Sequence, residues 1–263
     1  KKLVRARQKL RQNKIAFEVP ESKNLEKRLS SVLKTIYLLF NEGYSASSGK
    51  DLIRFELCEE AIRLTIMISG HEAIQDKSEV YALLSLMQLN SSRFSARQNS
   101  EGNILTLAEQ DRSVWNKELI EAGLNNLERS TYNKKVSVYQ ILAAISANHS
   151  VASGFETTDW KNILSLYDNL LEFDNSPVVL LNRAIALSKV HGAEKGLKEL
   201  ELIKDAPSIR SYHLFYSAQA QLYFELKKYS KASESLENAI KLSSLPSEKI
   251  LLQERLKLCK EKK

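Results

Sequence analysis

Apolar side chains recur at three- and four-residue spacing along nearly the whole chain, the period of one face of a helix. Leu25, Leu29, Val32, Leu33, Ile36, Tyr37, Leu39 and Phe40 form the first such stripe in the body of the sequence, and Gly43 stands where a helix C-terminal stop is expected. After the polar stretch 41–49, Leu52, Ile53, Leu57, Cys58, Ala61, Ile62, Leu64 and Ile66 predict a second helix ending near Gly70, and a third is predicted over about 78–89. The period then breaks. Residues 91–111 are the longest irregular segment, and the alternation of Asn103, Ile104, Leu105, Thr106 and Leu107 within it reads as a strand or as an extended loop. Ser113 is a candidate N-cap for a helix carrying Trp115, Leu119, Ile120 and Leu124. Val136, Tyr139, Ile141, Leu142, Ala144 and Ile145 predict another.

Further on, the pattern repeats. Tyr216, Ala220, Tyr223, Ala232, Leu236 and Ala239 are matched 36 residues earlier by Leu180, Ala184, Leu187, Gly196, Leu200 and Ile203. Ile163, Tyr167, Leu170 and Phe173 fit 33 residues before the second half of that copy, with the helix over 135–150 as partner. Small residues at Ala220, Ala232 and Ala239 let two antiparallel helices approach closely, as in the tetratricopeptide repeat of 34 residues. A generic array of helical hairpins is the competing reading. Turn chemistry marks each start: Asp159, Ser176 with Pro177, and Ser208 after Pro207. The expected fold is therefore all-α, a helical hairpin array with about three degenerate tetratricopeptide-like repeats in the C-terminal half.

Composition narrows the classes. Of 263 residues, 43% are apolar and 27% charged, which supports a packed core and excludes disorder as the main state. Eight glycines and four prolines are too few for the turns of an all-β sandwich or for repeated glycine-rich nucleotide loops. Cys58 and Cys259 are far apart and read as reduced thiols of a cytoplasmic protein, Cys58 as a core residue. No apolar run approaches a membrane span, since Leu64 to Ile68 is flanked by Arg63 and His71. The chain opens on Lys1, with charge beginning abruptly, and reads as a fragment.

Charge is the first specific signal. Net charge is +7, and residues 1–14 hold Lys1, Lys2, Arg5, Arg7, Lys9, Arg11 and Lys14 with no acid, which leaves 32 basic against 32 acidic side chains elsewhere. Leu3, Val4, Ala6, Leu10 and Ile15 fall near helical spacing, so this segment is expected to be a basic amphipathic helix suited to phosphate. The alternatives are a solvated helix end or a basic segment exposed by truncation.

Several segments in order carry a resemblance. They are residues 3–11 (Leu-Val-Arg-Ala-Arg-Gln-Lys-Leu-Arg) with 15–20, then 37–49 (Tyr-Leu-Leu-Phe-Asn-Glu-Gly-Tyr-Ser-Ala-Ser-Ser-Gly). Next come 83–97, 109–116 (Glu-Gln-Asp-Arg-Ser-Val-Trp-Asn) and 176–184 (Ser-Pro-Val-Val-Leu-Leu-Asn-Arg-Ala). Together they resemble the bacterial extracytoplasmic-function RNA polymerase sigma factors that carry a long C-terminal extension. The resemblance implies three parts: residues 1–20 as the end of the promoter-reading helix and its linker, 21–130 as a helical extension domain, and 131–263 as the repeat domain packed on it. It implies promoter DNA and core RNA polymerase as partners of the full-length protein, with Lys1, Lys2, Arg5, Arg7, Lys9 and Arg11 at DNA. The regions that bind polymerase and melt the minus-ten element are absent, so this chain alone is not expected to initiate transcription. Arg5 and Arg7 are favoured for base contacts because a guanidinium bonds a guanine edge bidentately.

The extension itself is expected to regulate through contacts, since repeat surfaces bind peptides or neighbouring domains and have no intrinsic chemistry. Asn41, Glu42 and Tyr44 read as a binding loop or as helix-stop chemistry. Arg93, Arg97, Glu109, Asp111 and Arg112 read as an ion-pair network pinning the long loop or as an anion site. Asn182 and Arg183 read as contacts to a neighbouring loop or a bound peptide. Catalysis is not expected: His71, His149, His191 and His213 stand singly near helix ends, read as surface or capping, and form no metal-ligand spacing. No phosphate loop or Gly-x-Ser-x-Gly elbow occurs, so no metal or cofactor is expected. A free-standing repeat adaptor for a protein partner is the alternative function.

Overall fold

The computed structural model describes residues 2–13, 22–46, 52–133 and 135–262. Among them regular structure is helical: α1 (Lys2–Gln12), α2 (Ser22–Tyr44), α3 (Phe55–Ser69), α4 (Ser78–Ser91), α5 (Lys117–Ser130) and α6 (Val138–Val151) make the N-terminal half. α4 is apolar on every side, the signature of a central helix. It is accordingly buried from Val80 through Leu89 apart from Tyr81, and packs against α2, α3, α5 and α6. Two of its buried polar side chains are bonded within this packing. Ser85 donates to the Gly123 carbonyl at 2.7 Å, and Asn126 donates to Gln88 at 2.9 Å. Leu33, Ile36 and Phe40 of α2 close the core over Cys58, Leu83 and Met87.

α6 passes the core on to the repeats. α7 (Trp160–Leu170), α8 (Pro177–His191), α9 (Ala193–Ile203), the single turn α10 (Pro207–Arg210), α11 (His213–Glu225), α12 (Tyr229–Leu242) and α13 (Pro246–Glu261) follow as antiparallel neighbours. The hairpins are α6/α7, α8/α9 and α11/α12, with α13 covering the last. Each hairpin buries its stripe against the next: Ile145, Ile163 and Leu170 meet Ala186, Leu181 and Leu200 meet Phe215 and Leu222, and Ala220 and Leu236 meet Leu252 and Cys259. Gly196 allows the closest approach, since a Cβ there would lie 2.5 Å from that of Ser188. Arg183 ties three helices, bonding Asp168 of α7 at 2.6 Å and Glu199 of α9 at 3.2 Å. The far end returns to the near one, because Leu245, just before α13, packs with Leu52 and Ile53.

The all-α hairpin array is as the periodicity predicts, and the differences are local. α2 ends at Tyr44, one residue beyond the stop expected at Gly43, which keeps right-handed backbone rather than forming a left-handed cap. In this last turn a Cβ on Gly43 would be 2.7 Å from Cys58 Sγ and 2.9 Å from the Arg54 carbonyl, so the glycine also permits close packing on α3. Leu52 and Ile53 precede α3 rather than lying in it. Asn116, not Ser113, caps α5, accepting from the Leu119 amide at 2.9 Å, while Asp111 caps a short 3₁₀ turn containing Ser113. The last repeat starts at His213, because Pro207 and Ser208 are used in α10. Residues 103–107 are an extended loop with one isolated antiparallel bridge between Gln98 and Ile104. Cys58 and Cys259 are both buried and are not joined in a disulfide. No helix among the described residues is long and apolar enough to cross a membrane.

Candidate functional site

Where α2, α4, α6 and α7 converge, the packing leaves a cavity of about 320 Å³. α2 contributes Tyr37, Phe40, Asn41 and Tyr44, one helical face carried to its C-terminal end. α4 contributes Asn90, and Arg93 follows directly after the helix. α6 contributes Leu142, Ile145, Ser146 and His149, and α7 brings Tyr167. Trp115 closes the side between the long loop and α5. The wall is aromatic and aliphatic with a few convergent polar groups, the usual make-up of a small-molecule site.

Arginines dominate its electrostatics. The Tyr44 hydroxyl accepts from Arg93 twice, with Nε at 3.0 Å. Arg97 donates to the Tyr44 carbonyl and places its guanidinium 3.9 Å from the Tyr44 ring centroid. Burial pushes the Tyr44 phenol up, but the charges of Arg93 and Arg97 and the Arg93 hydrogen bond outweigh it, and the pKa falls below its ordinary value. Arg112 donates to the carbonyls of His149 and of Ala152, the latter at 2.7 Å, and to Thr158 Oγ1 at 3.3 Å. Its guanidinium lies 5.0 Å from the Trp115 ring. His149 is held at about 4, first by burial and then by the charges of Arg93 and Arg112, so its imidazole is neutral at pH 7. Its Nδ1 and the Trp115 Nε1 are buried without a hydrogen-bond partner among the described residues.

The arginines and acids of the long loop do not form an ion-pair network. Glu109 accepts from the Thr106 amide at 2.8 Å, and Asp111 accepts from the Ser113 amide at 2.8 Å. No carboxylate of the described residues forms an ion pair with Arg93, Arg97 or Arg112. Arg97 instead holds a backbone carbonyl at the end of α2, and Arg112 holds one in the last turn of α6 and one just after it. Thus Asn41, Tyr44 and Arg93 line the cavity, with Arg97 and Arg112 behind its wall. Glu42 faces α3, 3.9 Å from Arg54. Asn182 is exposed on α8, and Arg183 bridges the repeats, both outside the cavity lining.

On α1, Arg5, Lys9 and Arg11 are exposed. Lys1 and the side chains of Lys2 and Arg7 lie outside the described residues. Sequence reasoning missed Asn90, Ser146, His149 and Tyr167. The first three offered one signal, polar positions on otherwise apolar helices. Tyr167 offered none, since a partly polar aromatic fits the core stripe.

Comparison with known proteins places the cavity in context. Residues 28–131 match a protein family described as a family of unknown function (DUF6596), a stretch from α2 through α5 that includes Asn41, Tyr44, Arg93, Arg97 and Trp115. A protein of Rhizobium meliloti (strain 1021) described as uncharacterized is 34% identical over 255 residues, which cover 97% of this chain. The chain spans 59% of the length of that relative.

Proposed function

We propose that this chain is the C-terminal regulatory portion of a sigma factor that directs RNA polymerase to promoters, with α1 as the end of its DNA-reading helix. The observation that carries the reading is the charge distribution. All seven excess cations fall within residues 1–14, and Arg5, Lys9 and Arg11 stand exposed on α1, while the helical array behind it is electrically balanced. A basic helix of this kind contacts DNA phosphates for position and base edges for specificity. The ordered resemblance of segments across the chain supports the same assignment. Three of those segments, 37–49, 83–97 and 109–116, contribute residues to one cavity. The hairpin array then acts through contacts with the sigma core, polymerase or another protein in the cytoplasm, and modulates initiation.

Two experiments test this on the full-length protein. Replacing Arg5, Arg7 and Arg11 by glutamine should weaken promoter binding and lower the slope of log affinity against log salt, by up to about 3 if each of the three cations neutralises a phosphate. Unchanged binding and slope would refute the α1 assignment. Transcription from a target promoter with core polymerase should change when the protein is cut after Pro20, and identical activity would refute a regulatory role for the array.

A further inference from the structure

We propose that the cavity between α2, α4, α6 and α7 binds a small organic oxyanion, a carboxylate or a phosphate ester, with the Arg93 guanidinium as its principal anchor. This goes beyond the sigma-factor reading and does not depend on it.

Three observations carry the proposal. First, Arg93 is under-used. A guanidinium has five N–H donors, yet both Arg93 bonds end on one atom, the Tyr44 hydroxyl. By contrast Arg54, Arg63, Arg183 and Arg210 each face a carboxylate. Second, the lining among the described residues holds no acid, while Arg97 over Tyr44 and Arg112 over Trp115 add positive charge close to it. Burial first, and then the charge of Arg93, lowers the pKa of His149, Arg97 and Arg112, with Tyr44 partly offsetting this at Arg97, so the Arg93 charge is felt around the site. Third, Trp115 is only 3% exposed, and its Nε1, which can only donate, has no acceptor among the described residues. A half-buried guanidinium with no carboxylate partner among the described residues, in a lining that also includes a tryptophan with an unused donor, is the arrangement that an oxyanion completes, as a bidentate partner of Arg.

The remaining wall sets the rest of the ligand. Tyr37, Phe40, Leu142, Ile145 and Tyr167 offer an aromatic and aliphatic surface, and Asn41, Asn90 and Ser146 supply neutral hydrogen-bonding groups. About 320 Å³ suits a compact metabolite with an apolar or aromatic body, at the small end of ligand sites. Neutral His149 can donate or accept through its free ring nitrogen, so it tolerates an anion without adding charge of its own.

Titration calorimetry on the whole chain tests this with four probes: benzoate, phenyl phosphate, inorganic phosphate and neutral benzamide. The expected result is that benzoate or phenyl phosphate binds and benzamide binds at least tenfold more weakly, the weight of hydrogen bonds to a charged group. Preference between the first two identifies carboxylate or phosphate. Arg93→Gln should lower the affinity at least tenfold with an unchanged far-ultraviolet dichroism spectrum. Should that variant unfold, Ser146→Phe offers a separate check, because it fills the cavity from α6 while keeping the Arg93 side chain and should abolish binding. Failure of both aromatic anions to bind, equal binding of benzamide, or binding that survives Arg93→Gln or Ser146→Phe in the folded protein would each overturn the proposal. Binding of inorganic phosphate alone would overturn it too, as an adventitious ion only.

Discussion

Replacing Gly43 by alanine should destabilise the protein, although alanine is the better helix former by up to about 1 kcal/mol. An added Cβ would lie 2.7 Å from Cys58 Sγ, 2.9 Å from the Arg54 carbonyl and 2.9 Å from the Cys58 amide nitrogen. Two of these three atoms are backbone at the start of α3, so no side-chain rotation relieves the overlap and α3 must move away from α2. Overpacking of this kind costs about 1–3 kcal/mol. The same movement stretches the 2.7 Å bond from the Arg54 amide to the Gly43 carbonyl, a further contribution of about 1 kcal/mol. That loss roughly offsets the propensity gain, leaving about 2 kcal/mol. In a chain of this size the melting temperature should fall by roughly 4–8 °C, read by calorimetry or by circular dichroism at 222 nm. Gly70→Ala is the matched control. Its nearest atoms are 3.7 and 3.8 Å away and its backbone is already right-handed helical (φ −82°, ψ −10°), so it should melt no lower than the parent. Cys58→Ala in the Gly43→Ala background removes one of three overlaps and should restore only part of the loss. A Gly43→Ala protein that melts at or above the parent temperature, or a complete rescue by Cys58→Ala, would refute the close-packing role.

Two further outcomes follow from the packing and the titration. Ala220, 2% exposed between α11 and α12, has no room for an indole, so Ala220→Trp should cost at least about 1–3 kcal/mol, and an unaltered melting curve would sink the repeat register. His149 has its folded pKa lowered to about 4 from 6.5, so below about pH 6.5 the unfolded chain takes up a proton that the folded chain refuses. The stability due to neutral His149 is therefore full above that pH and declines toward pH 4, by up to about 1.4 kcal/mol per unit. His149→Gln should show a shallower decline between pH 6.5 and pH 4 in chemical denaturation, and superimposable profiles would show that His149 is not desolvated in the folded state.

Most of the fold was legible because helical periodicity and capping are local. Asp159 accepts from the Asn162 amide at 3.0 Å, and Pro177 occupies the first turn of α8, both as their positions predict. Where a cap was misplaced, a competing local acceptor won: Asn116 reaches the Leu119 amide and sets the start of α5 four residues beyond Ser113. Gly43 stands one residue before the end of α2, as its position predicts, but its second role, close approach to α3, depends on where Cys58 lies and leaves no mark in the local sequence. The cavity was partly legible. Asn41, Tyr44 and Arg93 stood out as polar groups in a helix-stop or loop setting, whereas His149 and Ser146 sit on the stripe of α6 and meet Arg93 and Asn90 only through the crossing of helices. Asn90 and Ser146 come within 3.4 Å across 56 residues of chain, a separation on which periodicity carries no information.

The division of labour among charged residues explains why an ion-pair network looked reasonable and why an anion site arises instead. Glu109 and Asp111 lie close to Arg112 in sequence, but each has an open backbone amide within three residues, Thr106 for one and Ser113 for the other. Capping a local turn orders one short side chain at an exposed position. Pairing with a guanidinium behind the cavity wall would instead desolvate the carboxylate, a cost that buried pairs often fail to recover. The acids therefore stay at the surface, as their exposure shows. Carbonyl groups at the ends of α2 and α6, which need donors in any case, satisfy Arg97 and Arg112 without neutralising them. Backbone dipoles hold these cations in place and leave their charge uncancelled. Arg93, with only a phenol oxygen to bond, is where that surplus reaches the cavity, and an oxyanion there would meet a field built by the same contacts that anchor the long loop to the helices.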